Sequence, residues 1–284
     1  MKARAGLAVA VATAAIAASA AAQEVRRPLL EAGVFGGGAL LPDYPAAGQS
    51  HFRALALPWL IYRGDVLRSD DRGLRGRFYR GEDLEFTLNF NGALGTRSSD
   101  NRAREGMPDL DYLGEVGPSL RWVAWRDAEN RSRIAVEAPV RAVFGTDFER
   151  VRYRGLVFAP EVAYERRGLL FAESRARAGI GPVFASGRLM DYWYKVGSEH
   201  VRPGRPAYDA SGGYLGLRLQ VSYRVPVTGR LSATLGGRLE AFSGATNRGS
   251  PLFRSELNAT LVGGLSFALY RSEAAVASAA EPFD

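Results

Sequence analysis

Between residues 212 and 270, three segments alternate apolar and polar side chains with almost no interruption. In the first, Leu215, Leu217, Leu219, Val221, Tyr223 and Val225 oppose Gly216, Arg218, Gln220, Ser222 and Arg224. In the second, Leu231, Ala233, Leu235, Gly237, Leu239 and Ala241 oppose Ser232, Thr234, Gly236, Arg238 and Glu240. The third sets Leu257, Ala259, Leu261, Gly263, Leu265, Phe267 and Leu269 against Asn258, Thr260, Val262, Gly264, Ser266 and Ala268. Successive side chains leave a strand on opposite sides, so a period of two predicts three strands. Two architectures use such strands. In a soluble sandwich the apolar face is the core; in an outer-membrane barrel it meets lipid and the charged face lines the lumen.

The start of the chain bears on that choice. Lys2 and Arg4 precede an apolar, alanine-rich run from Leu7 to about Ala18, and Ala20-Ala21-Ala22 then offers a small-residue cleavage site. This pattern predicts a secretory signal peptide over residues 1–22; the apolar run is too short for a membrane-spanning anchor. The chain has no cysteine, which excludes disulfides, thiolate metal sites and cysteine nucleophiles. After the signal no apolar run approaches the roughly 18 residues of a membrane helix. About 260 residues remain, a length that one large β domain can hold undivided. The formal charge is +7, two units of it from Lys2 and Arg4, and Lys195 is the only lysine beyond the signal. The arginines are spread along the strands instead of forming a patch, so no nucleic-acid partner is expected.

Nine further strands are predicted, over 31–41, 51–63, 65–69, 73–80, 84–90, 112–126, 133–142, 151–166 and 172–180, which makes twelve. Counted from the N-terminus, the links after even-numbered strands are short, including Arg63-Gly64-Asp65, Arg80-Gly81-Glu82, 127–130, 166–168 and 226–229. Those after odd-numbered strands are generally longer, with 96–111, 185–211 and 244–254 the extremes. Short turns at one end, long loops at the other and an even strand number mark a bacterial outer-membrane barrel, and Greek-key sandwiches have no reason to alternate this way. The predicted fold is therefore all-β: a transmembrane antiparallel barrel over 23–270, followed by a tail over 271–284 on the periplasmic side. Leu215, Leu235 and Leu261 are expected to face lipid. Gly36-Gly37-Gly38 in the first strand lacks the lysine and helix of a phosphate loop, and is read as a place where the wall bends or a loop comes close.

The opposite faces then supply the candidate lumen-lining residues: Glu85, Glu115, Arg121, Arg133, Glu137, Arg141, Glu161, Glu165, Glu173, Arg175, Arg177, Arg218, Arg224, Arg238 and Glu240. Both signs are present, which predicts cross-strand ion pairs filling a narrow interior, or a pathway for small polar or anionic solutes. Aromatic residues gather near strand ends, among them Trp59, Trp122, Trp125, Tyr192, Trp193, Tyr194 and Tyr270, as interfacial girdles require. Tyr192-Trp193-Tyr194, beside the longest loop, suits a girdle or loop packing and also a carbohydrate platform. His51 and His200 are the only histidines, and neither has a nucleophile motif or a metal-ligand spacing beside it. The carboxylates sit among arginines. No catalytic, cofactor or metal site is expected.

Several motifs resemble one family. Gly36-Gly37-Gly38, Pro42-Asp43-Tyr44-Pro45, Pro58 and Tyr62-Arg63-Gly64-Asp65 look like the N-terminal signature of the MipA/OmpV family, the MltA-interacting proteins. Asp191-Tyr192-Trp193-Tyr194-Lys195-Val196, with Arg202-Pro203 and Tyr208, is similar to that family's tyrosine-rich segment, and Ser250-Pro251-Leu252 resembles its last loop. The resemblance implies a barrel among outer-membrane lipids that acts as a scaffold for a lytic transglycosylase and a murein synthase, with some members linked to antibiotic entry. Where the family ends at an aromatic residue, this chain runs on past Tyr270 from Arg271 to Asp284. The expectation is a non-enzymatic outer-membrane scaffold exported through a cleaved signal. A small-solute channel stands as its alternative, and an outer-membrane hydrolase third.

Overall fold

The computed structural model describes residues 26–62, 67–70, 73–80 and 83–277. The predicted signal over 1–22, the turn Arg63-Gly64-Asp65 and the last seven residues of the predicted tail lie outside these, in whole or in part. Twelve antiparallel strands form one up-and-down wall. They are β1 (Leu30–Pro42), β2 (Ser50–Tyr62), β3 (Leu67–Asp70), β4 (Gly73–Arg80), β5 (Leu84–Ala93), β6 (Tyr112–Arg126) and β7 (Ser132–Thr146). After these come β8 in two pieces (Val151–Phe158 and Glu161–Arg167), β9 (Arg175–Ala185), β10 (Gly213–Pro226), β11 (Leu231–Ala241) and β12 (Leu257–Arg271).

Each strand from β3 to β12 is laddered to its successor, and β12 pairs with β1 from Leu261↔Leu40 to Arg271↔Glu31. β1 pairs with β2 along its whole length. β2 and β3, at the two ends of this order, are joined by residues 63–66 and lie side by side. The chain is an outer-membrane-type barrel. No helix among the described residues is long and apolar enough to cross a membrane. The break in β8 falls at Ala159-Pro160, where proline has no N–H to give to a ladder. The register is unaffected: Val140 opposes Phe158 and Glu137 opposes Glu161. Beyond the wall, Ala275–Ala277 pairs with Arg26–Pro28 in a short ribbon, so part of the predicted tail folds back on the start of the described chain.

The period-two pattern orients the wall. Leu120, Trp122, Val162, Ile180, Leu217, Leu219, Leu235, Leu239, Leu261 and Leu265 are exposed on the outer face, while the residues between them are buried or half-buried. Leu215 departs from this pattern. It is 3 % exposed and belongs to an apolar cluster inside the barrel. A bulge causes the inversion: Val183 opposes Gly216 but Phe184 opposes Tyr214, so Leu215 is the extra residue and turns inward. The expectation that Leu215 faces lipid is therefore corrected.

On the inner faces of β1 and β12 glycines make room for rings. A Cβ on Gly264 would lie 2.5 Å from the Phe35 ring, and one on Gly33 would lie 2.6 Å from the Trp59 ring. Trp59 thus points into the barrel and is no part of a girdle. Trp122, Trp125 and Tyr270 are exposed near the short-turn end; Phe52, Tyr112, Phe158 and Phe184 are exposed near the long-loop end.

Candidate functional site

The barrel interior holds two chemically different layers. Register lines charged residues up in a row that runs obliquely across the wall, from beside the short turns to beside the long loops. Glu85 opposes Arg121, Arg121 opposes Glu137, and Glu137 opposes Glu161. Further round, Gly181 opposes Arg218, Arg218 opposes Glu240 and Glu240 opposes Asn258. Two carboxylates directly opposite would repel, and arginines on both sides offset that for Glu137 and Glu161. Arg121 donates from Nε to Glu137 at 2.9 Å and from Nη2 to Glu165 at 3.0 Å. Arg133 also donates to Glu165. Arg177 pairs with Glu161, lies 3.7 Å from Glu137 and reaches Glu165 at 3.5 Å. Gln220 completes the shell of Glu161. The carboxylate of Glu161 occupies the space over Gly179, where a Cβ would lie 2.4 Å from the carboxyl carbon. Separate pairs join Arg218 to Glu240 at 2.8 Å and Arg141 to Glu115 at 2.7 Å.

Fourteen of the fifteen residues read from the sequence as lumen-lining lie on barrel strands with their side chains on this inner side; Arg175 and Arg224 oppose each other toward the short turns. Glu173 does not. It lies in the turn before β9, which starts only at Arg175, and its side chain is exposed. The alternation of Glu173 with Arg175 and Arg177 extends a strand pattern into a turn whose geometry is set by local bonds, with Ser174 Oγ donating to Leu169 O at 2.6 Å. The ion pairs that the sequence reading missed include Arg271 Nε with Glu31 at 2.9 Å, and Arg154 Nε with Asp111 at 3.1 Å. Arg271, expected in the tail, is the last residue of β12.

Above this layer the long loops fold into the barrel mouth. The segment predicted as loop over 185–211 contains a helix, α1 (Gly187–Tyr194), with Leu189, Met190 and Tyr194 buried. Ser186 precedes it and ties it to the wall: its carbonyl accepts the Met190 N–H at 3.0 Å and its Oγ accepts the Leu156 N–H at 2.9 Å. Around α1 gather Tyr44, Val143, Val183, Leu215, Phe242 and Leu252, each at most 4 % exposed.

Polar groups within this plug find partners. Tyr44 OH donates to Leu252 O at 2.7 Å, Tyr194 OH to Pro45 O at 2.8 Å, and Ser250 Oγ to Tyr194 O at 2.8 Å. Asp43 accepts from Asn101 Nδ2 at 2.7 Å and lies 2.7 Å from His51 Nδ1. Arg104 donates to Trp193 O at 3.2 Å, and Arg205 holds Ala103 O and Glu105 O at 3.0 and 2.9 Å. Burial pushes the Tyr44 and Tyr192 hydroxyls up to about 12, and the Tyr194 hydroxyl well above its usual value. Tyr192-Trp193-Tyr194 is loop packing: Tyr194 is buried, Tyr192 and Trp193 are half-buried, and Tyr192 OH accepts the Asp111 N–H at 2.5 Å.

A cavity of about 970 Å³ remains between the charged layer and the plug. Among the described residues no group of three His, Asp or Glu side chains is arranged to hold a metal ion.

A family model described as MltA-interacting protein MipA matches residues 34–269. No curated protein matches the chain. Among solved structures, a bacterial polysaccharide outer membrane secretin is similar at 10% identity and a TM-score of 0.37, over 86% of this chain and 99% of the other. The Ralstonia pickettii toluene transporter TbuX is similar at 9% identity and a TM-score of 0.25, over 87% of this chain and 71% of the other.

Proposed function

The chain belongs to the MltA-interacting protein (MipA) family, and from that premise we propose that this outer-membrane barrel is a non-enzymatic scaffold for murein-remodelling enzymes. Its partners are a lytic transglycosylase and a murein synthase, and it reaches the outer membrane after cleavage of the signal over residues 1–22. The observation that carries this reading is the plug. A barrel whose mouth is filled by α1 and four loops, with Tyr194, Leu189, Met190 and Leu252 almost fully buried, is built as a rigid body more than as an open pore. Rigid barrels present preformed surfaces, which lowers the ordering cost of binding. The partners meet the short turns at 127–131, 168–174 and 227–230 and the segment after Arg271. Crosslinking in intact cells followed by purification of the full chain tests this. Recovery of a transglycosylase or synthase is expected; their absence from preparations that retain other envelope complexes overturns the scaffold.

A second reading rests on the cavity. If solute passes through it, the full chain conducts in planar bilayers, and Arg218→Ala or Arg238→Ala changes the conductance. A silent bilayer supports the closed scaffold.

A further inference from the structure

The cavity has two unlike walls. Ala39 and Leu41 from β1, Leu55 from β2 and Val262 from β12 line one side without a charge. Arg177, Arg218 and Arg238, with Glu137, Glu161 and Glu240, line the other. The carboxylates on this wall are already engaged: Glu137 and Glu161 by Arg177, and Glu240 by Arg218. Arg238 differs. It points inward between Gln220 and Thr260 of the flanking strands, and among the described residues it makes no hydrogen bond or ion pair through its side chain. Arg238 is half-buried and faces the cavity, and a carboxylate offers such a guanidinium two parallel hydrogen bonds. The cavity also extends to the exposed side chains of Phe90, Leu94 and Tyr112, interleaved with Asn91 and Asp111, so its rim offers apolar surface beside polar groups. A volume of about 970 Å³ is at the upper end for a small-molecule site and exceeds what a simple inorganic anion would fill.

We propose that this cavity binds an amphipathic carboxylate, its head group on Arg238 and its apolar body against Leu41, Leu55 and Val262. This goes beyond the scaffold reading and does not depend on it: the ligand sits inside the wall, whereas partners meet the turns. Recognition has two parts, a charge-assisted bidentate contact and an apolar surface. Dodecanoate, which carries both, binds more tightly than acetate or 1-dodecanol, each of which carries one.

The test uses the full chain in lipid nanodiscs, titrated with dodecanoate, 1-dodecanol and acetate against empty nanodiscs. Saturable binding of dodecanoate is expected, with acetate and 1-dodecanol weaker. Arg238→Met is expected to weaken dodecanoate roughly tenfold or more and to leave 1-dodecanol unchanged. Glu240→Gln removes a carboxylate that competes for the cations of this wall and is expected to tighten dodecanoate, a gain that a misfolded barrel cannot produce. Dodecanoate that fails to saturate above empty nanodiscs overturns the proposal. So does an Arg238→Met variant that binds it as well as the parent, or one that loses dodecanoate and 1-dodecanol equally.

Discussion

The strand layer and the plug of this barrel solve opposite problems. In the strand layer most large apolar side chains are on the outer face, and arginine and glutamate dominate the interior opposite the uncharged side formed by Leu41, Leu55 and Val262. In the plug, loops that would be solvated in a soluble protein bury Tyr44, Leu189, Met190, Tyr194 and Leu252. The hydrophobic core is therefore made of loop residues packed on the loop-side ends of strands, such as Val143, Val183 and Leu215, and ion pairs dominate one side of the strand layer beneath it. The difference teaches that lipid takes the role of core for the strands. Their inner face is free to carry charge where a partner or a cavity receives it, and the segments beyond the membrane bury apolar surface against one another.

The comparison breaks first at Glu165, which collects Arg121, Arg133 and Arg177. Replacing one partner of a buried pair leaves the others uncompensated, so Glu165→Ala is expected to lower unfolding free energy by about 3–5 kcal/mol. Urea unfolding of the barrel reconstituted in vesicles measures it. A loss near zero would mean that water fills the strand layer and solvates those arginines. The contrast can then be drawn on a single strand. Leu215→Ala empties a packed site in the plug and is expected to cost about 2–5 kcal/mol. Leu217→Ala, two residues on, removes a side chain from the lipid face and leaves no cavity, so its cost is expected to be well below that of Leu215→Ala in the same assay. Equal costs would erase the distinction between core and wall at this strand. Leu235→Arg tests the wall alone: at 64 % exposure on the outer face, an arginine near the bilayer midplane is expected to cost about 2–4 kcal/mol. Unimpaired insertion and folding would show the wall to be inside out.

Much of the strand layer was legible in the sequence because one physical rule, period two against lipid, runs through it. Strand β6 spans the predicted 112–126, and most other predicted bounds lie within a few residues of those found. What the rule could not show is where it is suspended. Leu215 obeys the alternation in sequence, yet a bulge reverses its side. Glu173 obeys it too, yet it lies past the end of the ladder. Trp59 reads as a girdle residue until Gly33 opposite it is known to leave room for the ring. The plug was least legible. Leu189, Met190 and Tyr194 have the spacing of a short helical face, but one of eight residues is too brief to stand out from a long, polar loop, and its partners come from loops far apart in sequence. The ion pair of Arg271 with Glu31 was hidden for the same reason, since the two residues are separated by almost the whole barrel.

Smaller perturbations sharpen the comparison from the plug side. Tyr194→Phe leaves the Pro45 carbonyl without its donor, at an expected cost of about 1–3 kcal/mol, read as faster proteolysis of the 186–212 loop with the strands still resistant. Smallest at neutral pH, where it vanishes, is the response to alkali. Burial raises the hydroxyls of Tyr44 and Tyr192 to about 12, against about 10 in an unfolded segment. Between these values the packed plug keeps protons that the open plug gives up, so stability falls as pH rises. Below pH 10 both states are protonated and nothing changes. The contribution should be intact up to about pH 10 and lost by about pH 12. Proteolysis of the 186–212 loop across that window should accelerate, and Tyr44→Phe with Tyr192→Phe should flatten the rise. A profile that stays steep when Tyr194→Phe is added to the double variant would place the alkaline sensitivity in the ion pairs of the wall, and the plug would then be no separate core.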